Sequence, residues 1–386
     1  MVTRAHAKKT KYDISERVAQ KSNGIDRIFL TTVIMIVVIG LIMLFSASYP
    51  DANYRDNDGL KYIRSQAIFA ILGALAMFVT AKVIPYKQYK IWLKPIMIVV
   101  FVALVTVLFM PARQGARRWI PLGFTTIQPS EVAKLGVIMY CANVFANAKE
   151  KMKNLKYVVI TMLPVAAVLG LVVIEPHFSA FLIMGCVVAI MLLAGGFPIR
   201  YFLYLLPLVV VGIVIIAFSE SYRSARITAW FDPFDPAVYK TTGWQIAQCL
   251  YAIGSGGLFG LGFGNSRQKY MYVSEPQNDT IFAIVCEELG LLGAIAIIAL
   301  FAFLIWRGIK IALDAKDAFG ALLVMGIMSL IGVQVFLNIA VVTNLIPATG
   351  VPMPFFSSGG SALVVLMAEM GIVLNVSSGG KSLFKK

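Results

Sequence analysis

Charge is scarce in this chain. Only 14% of its 386 residues are Asp, Glu, Lys or Arg, whereas 59% are apolar. A soluble domain carries about 25% charged and about 45–50% apolar residues. That deficit, with a mean hydropathy of +0.82, excludes an ordinary soluble enzyme, a disordered chain and a fibrous one. Histidine is nearly missing: His6 and His177 stand far apart. The four cysteines, Cys141, Cys186, Cys249 and Cys286, show no CxxC spacing. With no clustered His or Cys, the spacing argues against a zinc site or a disulfide framework, and no metal site is expected among the protein's own side chains. Most of these thiols lie in apolar runs, where a buried cysteine is inert. Tandem repeats are absent too.

What is present is a succession of apolar runs of about 20 residues, the length that crosses a bilayer as a helix. Ten can be placed, at 28–48, 65–83, 95–111, 129–147, 157–175, 178–195, 200–218, 280–305, 319–343 and 360–376. The expected fold is therefore an all-α polytopic membrane protein of about ten transmembrane helices. The first run follows a polar, basic tail (1–27) and is too long for a signal peptide, so it reads as an uncleaved first helix. Domain organisation follows: a basic tail (1–27), one transmembrane domain (28–376) and a short tail (377–386).

The net charge of +15 would suggest nucleic acid in a soluble protein. No stretch interleaves basic and aromatic residues, so no nucleic-acid partner is expected. Topology explains the charge better. With both termini cytoplasmic, 22 of the 34 Lys and Arg residues fall on the inner side, as the positive-inside rule requires. The outer 12 cluster. Arg113, Arg117 and Arg118 precede the fourth run. Arg223, Arg226, Lys240, Arg267 and Lys269 lie in the large extracellular loop between helices 7 and 8, residues 219–279. Cations placed against the rule point to an anionic ligand at the outer face, with an ordinary loop surface as the plain alternative.

Five segments carry candidate chemistry. The first runs from Gly115-Ala116-Arg117-Arg118-Trp119 to Gln128-Pro129-Ser130-Glu131-Val132-Ala133-Lys134. Pro129 and Glu131 suit a helix N-terminus, and Glu131 and Lys134 share a helix face. The pair reads equally as a structural lock or as the wall of an anion site. The second, Glu175-Pro176-His177, looks like a tight outer turn. The third is a glycine run, 254–264, which matches no phosphate-binding fingerprint but permits close backbone approach. The fourth holds Gln268, Lys269, Glu275 and Asp279. Asp279 stands where the long loop enters the eighth helix. It is either a functional carboxylate or a simple helix cap. The fifth, 347–360, has Pro347, Pro352 and Pro354. Backbone so irregular at membrane depth must line a cavity or be buried in protein; a plain exposed loop between the ninth and tenth helices is the alternative.

In this order the segments resemble the SEDS family of membrane glycosyltransferases, which includes FtsW, RodA and SpoVE. The carriers are G-A-R-R-W (115–119), Q-P-S-E-V-A-K (128–134), the glycine run, S-R-Q-K (266–269) and T-G-V-P-M-P-F-F-S (349–357). The resemblance implies polymerisation of lipid II into peptidoglycan beside a class b penicillin-binding protein and other division or elongation proteins. It implies a bacterial cytoplasmic-membrane location, at the septum for a division-type member. Asp279 matches the family's required carboxylate. Gln277 and Asn278 replace the usual His and Thr, His177 stands where Asp is common, and Ser358 where Tyr is common. The tail and the E-P-H-F stretch are closer to FtsW or SpoVE than to RodA.

The implied reaction is an inverting glycosyl transfer, in which a sugar hydroxyl displaces undecaprenyl pyrophosphate. Asp279 is then the candidate general base. Arg117, Lys134, Arg223 and Lys269 are candidates to meet the leaving pyrophosphate, with Glu131, Gln268 and Glu275 as further substrate-binding candidates. No cofactor is required by the sequence, although a divalent cation, Mg2+ or Mn2+, fits the same chemistry. Two other functions stay open: a lipid II flippase, which would need a polar site near the midplane, and a non-catalytic division scaffold, which would tolerate loss of Asp279.

Overall fold

The computed structural model describes residues 24–111, 116–121, 126–148, 150–204, 207, 211–212 and 221–380, with backbone alone at 221–224. Helix α1 (Arg27–Asp56) starts where the Asp26 carboxylate accepts the Phe29 N–H, and stops where Asn57 turns left-handed at φ 52°. This is side-chain capping at one end and an αL stop at the other. Helix α2 (Lys61–Phe78) runs into a π turn, Val79–Val83, and α3 (Gln88–Val107) follows. Pro129 opens α4 (Pro129–Asn147) and Asn154 caps α5 (Leu155–Ile174). Next come α6 (Phe178–Ala194) and, in the long loop, α7 (Ser221–Phe231), α8 (Pro236–Tyr239) and α9 (Trp244–Gly256). The bundle closes with α10 (Ile281–Leu313), α11 (Ala318–Val342) and α12 (Gly360–Ser377).

Among the described residues, seven helices are long and apolar enough to cross a membrane: α1, α2 with its π turn, α3, α5, α10, α11 and α12. Of the other runs expected to span, α4 carries Glu131 and Lys134, α6 is 17 residues long, and 200–218 lies largely outside the described residues. Helices α11 and α12 are central, with 61% of each apolar window buried, whereas α2, α3 and α5 have 17–22% buried and form the rim. Two short strands, Ile120–Pro121 and Thr126–Ile127, pair in the loop before α4. They are a small departure from the all-α expectation.

Two features differ from a plain bundle with loops. First, α10 is not one straight helix. Gly290 has φ 67° and ψ −171°, so its first two turns are set apart from the rest. The glycine run packs there. A Cβ on Gly256 would strike the Cys286 carbonyl, and one on Gly260 the Glu288 carbonyl. Only glycine permits that backbone-to-backbone approach. Second, the proline-rich segment plunges into the bundle. Val351, Met353, Phe355 and Phe356 are buried, and the Phe355 carbonyl abuts Gly40. Gly40 is 13 residues into α1, about 20 Å along it at 1.5 Å per residue, so this irregular backbone sits at membrane depth, enclosed by protein.

The starts of α1 and α11 and the ends of α10 and α12 are tied at one end of the bundle. The Asp26 N–H donates to Ser377 Oγ at 3.0 Å, and Arg307 pairs with Asp26 at 2.6 Å. Tyr86 donates its N–H to Asn375 Oδ1 and its hydroxyl to Asp317. The first and last described helices therefore begin and end on the same face.

A side chain at Gly40 has no room, because the atoms it would meet are backbone of the inserted segment. Gly40→Val is expected to lower stability by about 1–3 kcal/mol, the usual cost of overpacking, read as a fall in detergent-solubilised melting temperature. An unchanged transition would show that the inserted segment is not fixed against α1.

Candidate functional site

At the far end of the bundle the inserted segment, the long loop and the start of α10 converge on Asp279. Asn338 of α11 is the anchor: its Nδ2 donates to the Asp279 and Val351 carbonyls, both at 2.7 Å. Ser357 Oγ donates to the Asn278 carbonyl, and the Ser358 N–H to the Gln277 carbonyl. The Asp279 backbone is thus fixed by two elements distant in sequence. The N-cap of α10 is Thr280, which makes no side-chain cap bond. Asp279 is not serving as the cap.

Asp279 as a residue is half-buried, and its carboxylate is crowded by protein. Arg226 of α7 and Glu275 are charges that act on it, with Gln245 of α9 close by. Arg226 Nη1 also donates to the Ala348 carbonyl at 3.0 Å. A methyl on Gly350 would stand 3.5 Å from Asp279 Oδ2, so the glycine leaves that side of the carboxylate open. Burial raises the Asp279 carboxyl above the ordinary range, against the pull of its own backbone N–H and of Arg226. A carboxylate less acidic than usual beside a cation is suited to accepting a proton.

The other expected site residues are dispersed. Lys134 pairs with Glu131 at 2.8 Å, both buried in α4. Lys269 pairs with Glu288 at 2.8 Å and donates to Ser46 Oγ and the Gly264 carbonyl. The sequence-based set put Arg117, Lys134, Arg223 and Lys269 around one anion. The structure instead gives both lysines to buried carboxylates, because at this depth a charge without a partner is costly. Arg117 is exposed, and its guanidinium donates to the Leu108 carbonyl. Arg223 lies in α7, but its side chain is outside the described residues. The Gln268 N–H faces the Glu287 carboxylate. Glu275 accepts from Asn278 at 2.6 Å. Gln277 is buried, facing Asp51 of α1.

Arg226, Gln245 and Asn338 were not singled out from sequence. Arg226 had one signal, its place among the outer cations. Gln245 and Asn338 sit on α9 and on the largely apolar α11, and nothing in the chain order links them to Asp279.

The sequence profile of the cell cycle protein family, which groups FtsW, RodA and SpoVE, matches residues 26–382. Stage V sporulation protein E of Bacillus subtilis is 40% identical, covering 92% of this chain and 98% of its own. The probable peptidoglycan glycosyltransferase FtsW of Geobacter metallireducens is 37% identical, covering 92% and 94%. This chain belongs to the FtsW/RodA/SpoVE family. Among solved structures, RodA of Thermus thermophilus superposes with a TM-score of 0.67 at 25% identity, over 94% of this chain and 98% of that one. A chain from a peptidoglycan synthase complex superposes at 0.75 with 24% identity, over 92% and 97%, a likeness of fold. The chain is accordingly a multi-pass membrane protein.

In this FtsW/RodA/SpoVE chain a second polar group lies between the loop before α4 and the turn from α5 to α6. Arg118 Nη2 donates to the Pro176 carbonyl, and Ser130 Oγ meets His177 Nδ1 at 3.1 Å. Glu175 is fully buried, and neither carboxylate oxygen has a hydrogen-bond partner. Burial pushes its carboxyl up to about 8, opposed by Arg118. Burial, with Arg118 and Lys134 adding, holds the His177 imidazole down at about 3, so it is neutral. Deeper in the bundle, Glu369 is also buried without a hydrogen-bond partner, facing the Lys134–Glu131 pair.

Glu175 has a folded-state pKa above its ordinary 4.5. Its contribution to stability is complete below that value and is lost as pH climbs through about 8. Glu175→Gln, which cannot ionise, should melt close to the parent near the lower value and progressively above it as pH rises through the upper one. A gap that stays constant with pH would show that Glu175 does not change ionisation on unfolding.

Proposed function

We propose that this protein is a peptidoglycan glycosyltransferase that polymerises lipid II at the outer face of the bacterial cytoplasmic membrane. The observation that carries the reading is the Asp279 site: a fixed carboxylate beside Arg226 and Gln245, in a chain 37% identical to a probable peptidoglycan glycosyltransferase. Asp279 takes the proton of the attacking sugar hydroxyl as it bonds to the anomeric carbon. The electrons of the broken glycosyl bond leave with undecaprenyl pyrophosphate. Arg226 on α7, with Arg223 on the same helix and Arg117 in the loop before α4, supplies positive charge toward the departing phosphates. Lys134 and Lys269 act at one remove, through the carboxylates they neutralise.

Among the described residues no group of three His, Cys, Asp or Glu side chains gathers to hold a metal. A Mg2+ or Mn2+ at the site would therefore draw its oxygens chiefly from the substrate pyrophosphate. A class b penicillin-binding protein is the partner we assign, to crosslink the strands made here. The high identity to a sporulation protein and to FtsW proteins favours septal, division-type synthesis over elongation.

Ten spans with both tails cytoplasmic complete the reading. The Asp26–Ser377 bond, between the start of the first described helix and the end of the last, supports an even number of crossings. Seven long helices, α4, α6 and the 200–218 run make ten. The basic tail (1–27) and the segment 377–386 then flank a single domain, and the 219–279 loop faces outward. Single cysteines placed at 148–156 and 219–278 give the test with a membrane-impermeant reagent on intact cells. Only the second should react, and equal labelling would overturn the topology.

Lipid II flipping has one observation in its favour, the buried Glu131, Lys134 and Glu369 at intermediate depth. Purified protein, lipid II in detergent and added partner separate the two readings, since strands formed there need no transport. In that assay Asp279→Asn should cut the rate by about 10²–10⁴-fold, or roughly 3–5 kcal/mol of barrier, with folding retained. The parental rate should fall on acidification through a pKa above the ordinary aspartate range, because only the ionised base works. An Asn variant with most of the parental activity would exclude Asp279 as the base.

A further inference from the structure

The glycine run leaves a hydrophobic tip in an unexpected place. Leu258 and Phe259 are 59% and 79% exposed, and Phe263, Leu291, Leu292 and Ile295 are exposed around them. The tip is tied to α10 by its backbone. The Leu291 N–H donates to the Gly257 carbonyl at 2.9 Å and the Leu292 N–H to the Leu258 carbonyl at 3.2 Å. In return the Leu261 and Gly262 N–H groups donate to the Glu287 and Glu288 carbonyls, at 2.9 and 3.0 Å.

The depth of this join can be measured along α10. Its end tied to α1 is marked by the exposed Trp306, by Lys310 lying 4.4 Å over the Trp306 ring, and by the Arg307–Asp26 pair. Such Trp and basic residues gather where a span leaves the hydrocarbon. Leu291 is 15 residues further along, about 22 Å at 1.5 Å per residue. The hydrocarbon core is about 30 Å thick. The join therefore lies several ångströms inside the far boundary, level with acyl chains.

We infer that the Leu258–Phe259 tip is a membrane-inserting wedge, buried among the acyl chains of the outer leaflet. Three observations agree. The tip continues the exposed apolar face of α10 through Leu291, Leu292 and Ile295. The Gly257 and Leu258 carbonyls and the Leu261 and Gly262 N–H groups are paired with α10, and the Gly260 N–H donates to the Gly256 carbonyl, which lowers the cost of holding this turn in hydrocarbon. Arg267 is exposed a few residues on, suitably placed for phospholipid phosphates. The wedge would fix the height of the long loop, and with it Gln245 and the approach to Asp279, relative to lipid-linked sugars. The inference rests on the chain being a membrane protein and not on its catalytic activity.

The test uses the full chain in phospholipid nanodiscs without any partner. Benzoylphenylalanine replaces Phe259, or Leu258 in a second variant, and adducts are read by mass spectrometry after irradiation. Phe231 is the control. It is 78% exposed and follows Trp230, whose Nε1 donates to Asn344. Asn344 lies 26 residues from the start of α11, about 39 Å along and so above the hydrocarbon. Phospholipid adducts at 258 and 259 about tenfold or more above those at 231 are expected for a group in hydrocarbon. Adducts at the level of 231, or adducts to a second copy of the chain in place of lipid, would overturn the wedge.

Discussion

A peptide group inside a bilayer has no water to bond, and this fold is arranged around that fact. Among the described residues, regular structure breaks at membrane depth at Gly290 and at the inserted segment 350–358. Each break is closed by partners of its own. At the first, Glu287 accepts from the backbone N–H groups of Arg267 and Gln268 and from the hydroxyls of Ser255 and Ser266. Glu288 beside it is matched by Lys269 and Ser46. Those two buried carboxylates fasten the long loop to the bundle. At the second, Asn338 and Ser357 close the backbone. Both fastenings bear on one short segment, the entry to α10, and so both position Asp279.

The buried charges divide by work. Lys134 and Lys269 each stand 2.8 Å from a carboxylate. Removing one member of such a pair costs far more than an exposed pair is worth, typically about 3–5 kcal/mol, because it leaves a naked charge. These pairs specify where helices and loops meet. Arg226 differs. It is half-buried, its Nη1 donates to the Ala348 carbonyl, and its charge acts on the Asp279 carboxylate.

Much of this was legible in the sequence because membrane helices announce themselves by length and composition. The runs at 28–48, 280–305 and 319–343 became α1, α10 and α11, and the motif order led to the family. The proline-rich segment reads in sequence as either a cavity wall or a plain exposed loop, and its Val351, Met353, Phe355 and Phe356 are buried. What could not be read was pairing in space. Helix periodicity says nothing about the glycine loop whose backbone N–H groups fold over the Glu287 carboxylate. Lys269 looked like an outer-loop cation, since Glu288, its partner, sits on the far side of a turn whose geometry depends on Gly260 and Gly290 meeting backbone to backbone. Asn338 was hidden for the opposite reason: one amide in a long apolar helix gives no hint that two distant carbonyls converge on it.

The order in which the chain is made also matters to how it comes together. Helix α2, second to be synthesised, packs on α12, the last: Gly73 against Met367, Thr80 against the Ala368 carbonyl, Gln66 against Gly359. About 280 residues separate them, which at about 5–20 residues per second is roughly 15–60 s of synthesis. Throughout that interval α2 is in the bilayer without the surface it was built to meet. The Ala81 carbonyl waits for Asn375, and Asp26 waits for Ser377. The bundle lacks one of its two central helices until α12 enters, and a chain truncated before residue 360 would lack that centre.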